Sequence, residues 1–230
     1  MHPCTKIRYR YHAVVPVKLI ILVFRLCAYK NTNGWFVTMI NYNISMNFQN
    51  NIPDFNSNDT RAVLHSRSGR SVTVRRVTAD DGKMLAQLYN NLSPESVELR
   101  FFGTGPAAAD EVERQAHRLA QLNPTRHLAL MACIIENDVE CAIGVARYGL
   151  DTSDLQTAEF AVVIRDDFQN DGFGSQLLEL LTLTARANGV KRLRIVWRSQ
   201  NRAVQRLILS AKLPRSSETH SGETTTLLEL

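Results

Sequence analysis

The chain has 230 residues, 44% of them hydrophobic and 21% charged, the balance of an ordinary globular protein long enough for one good-sized core. Its formal charge of +5 belongs to the first 30 residues, where Lys6, Arg8, Arg10, Lys18, Arg25 and Lys30 meet no acid; the other 200 carry a net −1. Without a domain-wide basic footprint, the composition argues against nucleic acid as a partner.

Along the chain, residues 13–28 (AVVPVKLIILVFRLCA) are the one membrane-like stretch. Lys18 and Arg25 interrupt it, Pro16 sits inside it, and the uninterrupted run Leu19–Phe24 is far too short to span, so no stable membrane insertion is expected. It lacks the clean apolar region and cleavage site of a signal peptide. Residues 31–60 are crowded with Asn and hold few periodic apolar positions. Residues 1–68 are therefore expected to be a disordered extension, with translation from Met39 or Met46, or a basic surface anchor, as the alternatives.

From residue 69 to residue 230 the pattern predicts one α/β domain. Ser71–Val77 has strand composition, and Thr78 caps a helix expected to run through Asn90. Ser93-Pro94-Glu95 opens a second helix ending near Phe102, with Ser as cap and Pro at the first position. Asp110–Leu122 is amphipathic and closed by Asn123-Pro124. His127–Ile135, Glu140–Tyr148 and Thr157–Arg165 are β-rich runs joined by short turns, an antiparallel meander. Gly174–Asn188 carries Leu177, Leu178, Leu181 and Ala185 on one helical face, with Gly189 just past its end. A strand over Lys191–Trp197, a helix over Asn201–Lys212 and a strand over Thr224–Leu230 complete a mixed sheet with flanking helices.

Cys4, Cys27, Cys133 and Cys141 form no CxxC pair and have no His at ligand spacing, so no metal site is expected. A two- or four-residue turn at Asn137-Asp138 sets Cys141 opposite Ile134 and leaves Cys133 and Cys141 on opposite faces of the sheet; a three-residue turn would bring them together. All four read as reduced thiols of a cytoplasmic protein.

The chemistry concentrates in Ala158–Gln176, AEFAVVIRDDFQNDGFGSQ. A strand ends at Arg165, and Gln169-Asn170-Asp171-Gly172-Phe173-Gly174 leads into a helix. Glycines there let the backbone approach a ligand, and the helix N-terminus favours an anion such as a pyrophosphate. Neither G-x-x-x-x-G-K-[ST] nor G-x-G-x-x-G is present, which disfavours nucleotide triphosphates and nicotinamide cofactors.

Gln-x-x-Gly-x-Gly at 169–174, after AEFAVVI and before a Leu-rich helix, resembles the acyl-CoA motif of the GNAT superfamily of N-acetyltransferases. The resemblance runs from about Val72 to Leu230, and SPESVELRFF and IGVARY look like the bacterial branch with the catalytic domain of protein-lysine acetyltransferases. It implies a mostly antiparallel central sheet with a V-shaped splay. It implies acetyl-CoA as co-substrate, no metal, and an acceptor that is a protein lysine or a small-molecule amine, reached by direct attack in a ternary complex. By the same resemblance, Gln169, Asn170, Asp171, Gly172, Phe173, Gly174 and Ser175 form the pyrophosphate turn. Val162 and Ile164 offer backbone groups to the pantetheine, and Asn201 contacts the CoA arm, a role compatible with capping the helix behind it.

Glu159 stands among Phe160, Ala161, Val162 and Val163. It is expected to be a partly buried carboxylate, hence a general base with a raised pKa, with a structural ion pair to Arg147 as the alternative. Three positions depart from the family pattern. Asp171 occupies a usually basic position and sets like charge beside an anion site, so Asp171→Arg is expected to tighten acetyl-CoA binding unless the acid turns outward to cap the next helix. Ile208 replaces the Tyr that reprotonates the thiolate in many members, and Leu213-Pro214-Arg215 replaces a Leu-Gly-Phe turn. These departures keep a non-catalytic acyl-CoA-binding or sensing module as the alternative function.

Overall fold

The computed structural model describes residues 26–31, 34–39, 53–101 and 109–230. The chain divides into two compact units, residues 1–48 and 49–230. In the first, strands β1 (Leu26–Asn31) and β2 (Gly34–Met39) pair antiparallel, within a stretch whose sequence carries no periodic folding pattern. The basic–apolar stretch up to residue 25 lies outside the described residues, as do Cys4 and Met46.

The second unit is one eight-stranded sheet of β3 (Arg61–His65), β4 (Ser71–Arg76), β5 (His127–Glu136), β6 (Val139–Leu150), β7 (Thr157–Ile164), β8 (Arg192–Arg198), β9 (Arg215–His220) and β10 (Glu223–Glu229). Their order is β3-β4-β5-β6-β7-β8-β10-β9. Every neighbouring pair is antiparallel except β7–β8. The expected strands are all present, and the sheet gains one more at each edge. β9 is exposed throughout and polar, so no apolar alternation marks it. It exists because Ser221 and Gly222, at φ 49° and 82°, turn the chain back onto β10. β3 has a single buried side chain, Leu64. It begins ahead of the expected domain boundary at residue 69 and corrects that boundary. Phe55, fully buried, and the carbonyls of Phe55 and Asn56, which accept from the Arg76 guanidinium at 3.3 and 2.9 Å, belong to the same unit.

The helices are α1 (Gly82–Asn90), α2 (Pro94–Phe101), α3 (Ala109–Ala120), α4 (Phe173–Ala187) and α5 (Arg202–Ser210). A 3₁₀ turn, Ala79–Asp81, stands before α1. There the Asp81 carboxylate accepts from the Thr78 backbone N–H at 2.7 Å and from Arg75 through two nitrogens at 2.8 and 2.7 Å. α1 and α3 close one face of the sheet, where Leu85, Leu88, Tyr89 and Ala116 meet Ala129, Met131, Val145 and Val163. α4 covers β6 and β7 on the other face with Leu177, Leu178, Leu181 and Ala185, the stripe its sequence period predicts. Asn137 and Asp138, at φ 50° and 63°, make the two-residue turn between β5 and β6 and pair Ile134 with Cys141. Cys133 and Cys141 are both free thiols.

Candidate functional site

The ladder between β7 and β8 ends at Glu159 and Arg194. β7 then continues to Ile164 along β6, while β8 continues to Arg198 along β10. From Phe160 onward the two strands part, and a cleft of about 340 Å³ opens between them, bounded by α2, the residue 169–175 turn and α5. The Arg165 N–H donates to Ile143 O on β6 at 2.7 Å, and Gln156 O accepts from Lys191 and Arg192 on the β8 side. Strand alternation therefore turns the backbone groups of Phe160, Val162 and Ile164 into the gap. Val162 and Ile164, which the sequence reading names, are two of these three residues and line the cleft.

At the mouth of the cleft, Asn170 (φ 58°) and Gly172 (φ 96°) bend the chain into α4. The left-handed Gly172 is a position that favours glycine. The N–H groups of Phe173, Gly174 and Ser175 find no acceptor among the described residues, as the first turn of a helix dictates. Gly174 brings the helix close to Ile164 and Leu207. The Gln169 side chain braces the turn, donating to Ile164 O at 3.0 Å and to Ser96 Oγ at 3.1 Å. Asn201 caps α5, accepting from the Val204 N–H at 3.1 Å, and also lines the cleft.

Asp171 departs from its expectation. Its carboxylate points away from the N–H cluster and does not cap α4. It accepts from the Ser68 N–H at 2.9 Å, the Ser68 hydroxyl at 2.6 Å, and Arg70 Nε and a terminal Arg70 nitrogen at 3.0 and 2.8 Å. The Ser68 hydroxyl bond, reinforced by Arg70, holds its pKa well below the usual carboxylate range. Asp171 is the anchor of the β3–β4 turn, and the anchored turn carries Arg67 to the cleft. A Cβ on Gly172 would lie 3.8 Å from Arg67 Nε. Arg206 of α5 reaches the same mouth and donates to Asn170 Oδ1 at 3.2 Å. Sequence spacing does not reveal either arginine, because each comes from an element far away in the chain. The one signal is the Gly69 turn between two short strands.

Glu159 lines the cleft where the strands part, but its side chain is 61% exposed. The expected partial burial is therefore corrected. Glu159 pairs across the sheet with Gly149, which has no side chain to cover it. The alternative ion pair is not formed either, since Arg147 sits opposite Ala161, and the nearest cation to Glu159 is Arg194 at 3.8 Å. Arg192 and Arg194 bond to Asp154 and Asp151, and Arg198 lies 3.8 Å from Glu223. Ile208 is buried, and Lys212, one residue past the Ala211 cap of α5, takes a left-handed φ of 53°. Among the described residues, no three His, Cys, Asp or Glu side chains group to hold a metal ion, and no helix is long and apolar enough to cross a membrane.

Comparison with known proteins adds the following. The family model of the acetyltransferase (GNAT) domain matches residues 71–213. The GNAT domain of Streptomyces lividans PAT superposes with a TM-score of 0.64 at 24% identity, over 74% of this chain and 97% of that one. A Thermus thermophilus acetyltransferase does so with 0.53 at 22%, over 69% and 97%. A Streptococcus pneumoniae GNAT acetyltransferase gives 0.52 at 20%, over 68% and 96%. At these identities the superpositions speak for a shared fold.

Proposed function

The chain belongs to the GNAT acetyltransferase family, and from that premise we propose that it moves an acetyl group from acetyl-CoA to a primary amine by direct attack in a ternary complex. One observation carries the reading. A single cleft joins three acceptor-free N–H groups at the start of α4 to the gap-facing backbone of Phe160, Val162 and Ile164. The first set suits a pyrophosphate, and the second suits the amides of an extended pantetheine arm.

The residues divide the work as follows. Phe173, Gly174 and Ser175 hold the pyrophosphate through backbone N–H, with Arg67 and Arg206 supplying the positive charge missing at Asp171. Asn201 keeps its side-chain oxygen on the helix cap and offers the rest of its amide to the CoA arm. The thioester of acetyl-CoA supplies the activated acyl carbon. The Val162 N–H faces the place where the carbonyl oxygen gains charge, a preorganised donor of the kind that lowers acyl-transfer barriers. Glu159, on the opposite face of β7 and open to solvent, accepts the proton of the incoming ammonium through water. A thiolate is a good enough leaving group to depart without an acid at position 208. No covalent enzyme intermediate is required, since burial pushes the Cys133 thiol up to about 12. The free thiols of Cys133 and Cys141 suit a reducing, cytoplasmic setting.

The test is release of free CoA thiol from acetyl-CoA with a mixed panel of primary amines, alongside calorimetric titration of acetyl-CoA. Binding with amine-dependent thiol release is the expected result. Binding without turnover on any amine would instead make the protein an acyl-CoA-sensing module.

A further inference from the structure

On the α1–α3 face of the sheet, beside Glu159, lie two guanidinium groups that the transfer reaction as described above leaves unused. The register sets Ala129, Arg147 and Ala161 side by side across β5, β6 and β7, with His127, Gly149 and Glu159 in the next row on the same face. Ala129 and Ala161 flank Arg147 across the sheet, and in the next row the His127 ring lies over Gly149. Arg100, near the end of α2, lines the cleft together with Leu99, Glu159 and Ala161.

Both arginines are half-buried, yet neither guanidinium donates a hydrogen bond or forms an ion pair among the described residues. Arg100 Nε is shut off from solvent with no acceptor, and its guanidinium lies over the Phe101 ring at 5.2 Å. By contrast, Arg70, Arg75, Arg165, Arg192 and Arg194 each reach a carboxylate at 2.7 to 2.8 Å. Buried polar groups are nearly always satisfied, and a guanidinium carries five donors shaped for a carboxylate. The two cations also act on one another. Burial first, and then the charge of Arg100, pulls the Arg147 pKa down, while Tyr89, buried in the adjoining core, feels both arginines. Neither guanidinium has a carboxylate within ion-pair distance among the described residues, and Glu159, whose charge reaches Arg147 from farther off, leaves their hydrogen-bond donors unfilled.

We propose that Arg100 and Arg147 form an acceptor subsite for a carboxylate, so that the amine acetylated is a small molecule carrying a carboxylate close to its nitrogen, as an amino acid does. This rests on the transferase reading for its chemistry and on the arginine pair for its specificity. A polyamine, which brings only positive charge, is disfavoured by the same pair.

The experiment compares amino acids with their own amides as acceptors, using the full chain and acetyl-CoA. The ratio of kcat/KM for acid over amide should be at least tenfold, and should collapse toward one in Arg147→Gln and Arg100→Gln, mainly through KM for the acid. Arg147→Lys should restore part of the preference. A ratio of one in the native protein, or a ratio that survives both Gln variants, overturns the proposal. If no amine of either set is acetylated, the transferase reading fails by itself, and the subsite is judged by calorimetry with N-acetyl amino acids against N-acetyl amino acid amides. A preference for the acid that vanishes in Arg147→Gln upholds it. Equal binding, or none, overturns it.

Discussion

Glu159 and Asp171 sit twelve positions apart in sequence and do opposite kinds of work. Glu159 is exposed at the fork of β7 and β8, with Arg194 at 3.8 Å. Exchanging its carboxylate for an amide removes the proposed base without altering size, so Glu159→Gln should lower kcat by about 10²–10⁴ while acetyl-CoA affinity stays put. Steady-state kinetics with calorimetry would show the split, and an unchanged kcat would remove Glu159 from the chemistry. Asp171 acts through the turn it anchors. Asp171→Arg forfeits the Ser68 and Arg70 bonds and releases Arg67 from the cleft mouth, so it should weaken acetyl-CoA binding.

Arg67→Ala tests the same idea with the anchor left intact. A unit charge about 6 Å from a phosphate is worth roughly 0.7–2.8 kcal/mol at effective dielectrics of 80 to 20. The loss should therefore be about threefold or more at low salt and smaller at high salt. Equal affinities for the native protein and the Arg67→Ala variant at both ionic strengths would take Arg67 out of the site. The pH dependence follows from the same geometry. The folded pKa of Asp171 lies below its unfolded value, so its stabilisation is present in full above the ordinary carboxylate range, near pH 4. It declines as pH falls below that range and is gone once pH is below the depressed folded value.

At the scale of the elements, the start of α1 depends on a buried ion pair. Arg75 of β4 and Asp81 of the 3₁₀ turn are both about nine-tenths buried, with Glu140 of β6 also on Arg75 at 2.9 Å. Burial pushes the Asp81 pKa up, but the Arg75 and Thr78 hydrogen bonds outweigh it and the net shift is downward. Removing one partner leaves a buried charge alone. Asp81→Asn should cost about 3–5 kcal/mol in urea unfolding at pH 7, and the deficit should narrow as pH falls through the folded pKa of Asp81. A loss under about 1 kcal/mol would mean that Arg75 finds equivalent partners without it.

For the molecule as a whole, the unit that folds begins well ahead of the matched family domain. A chain starting at Gln49 keeps Phe55, β3 and the Asp171 anchor. A chain starting at Ser66 loses Phe55 and Leu64 from the core and exposes the edge of β4. Truncating a buried Phe alone costs about 3–5 kcal/mol, so the shorter chain should unfold at clearly lower urea or without cooperativity. Matching midpoints for the two chains would show β3 to be dispensable.

Much of this architecture was legible in the chain itself, because local signals and tertiary demands agree there. The leucine period of α4, the Ser93-Pro94 start of α2 and the two-residue turn at Asn137-Asp138 are each written within a few consecutive residues. So is the Gly172–Gly174 turn into α4, where left-handed backbone and an unfilled first helical turn follow from residue type alone. β3 and β9 were not legible, because edge strands need bury only one face or none, and their sequences carry no alternation. The exposure of Glu159 was hidden for a related reason: its apolar neighbours point to the other face or lie further along β7, while its cross-strand partner is a glycine. The sequence by itself determined the helices, the central strands and the glycine turn into α4, since these depend on contacts a few residues apart. Only the tertiary structure decided which charges meet. Asp171 with Arg70 and Arg67 with the cleft are meetings of residues from distant parts of the chain, and spacing along a chain does not specify where two strands part.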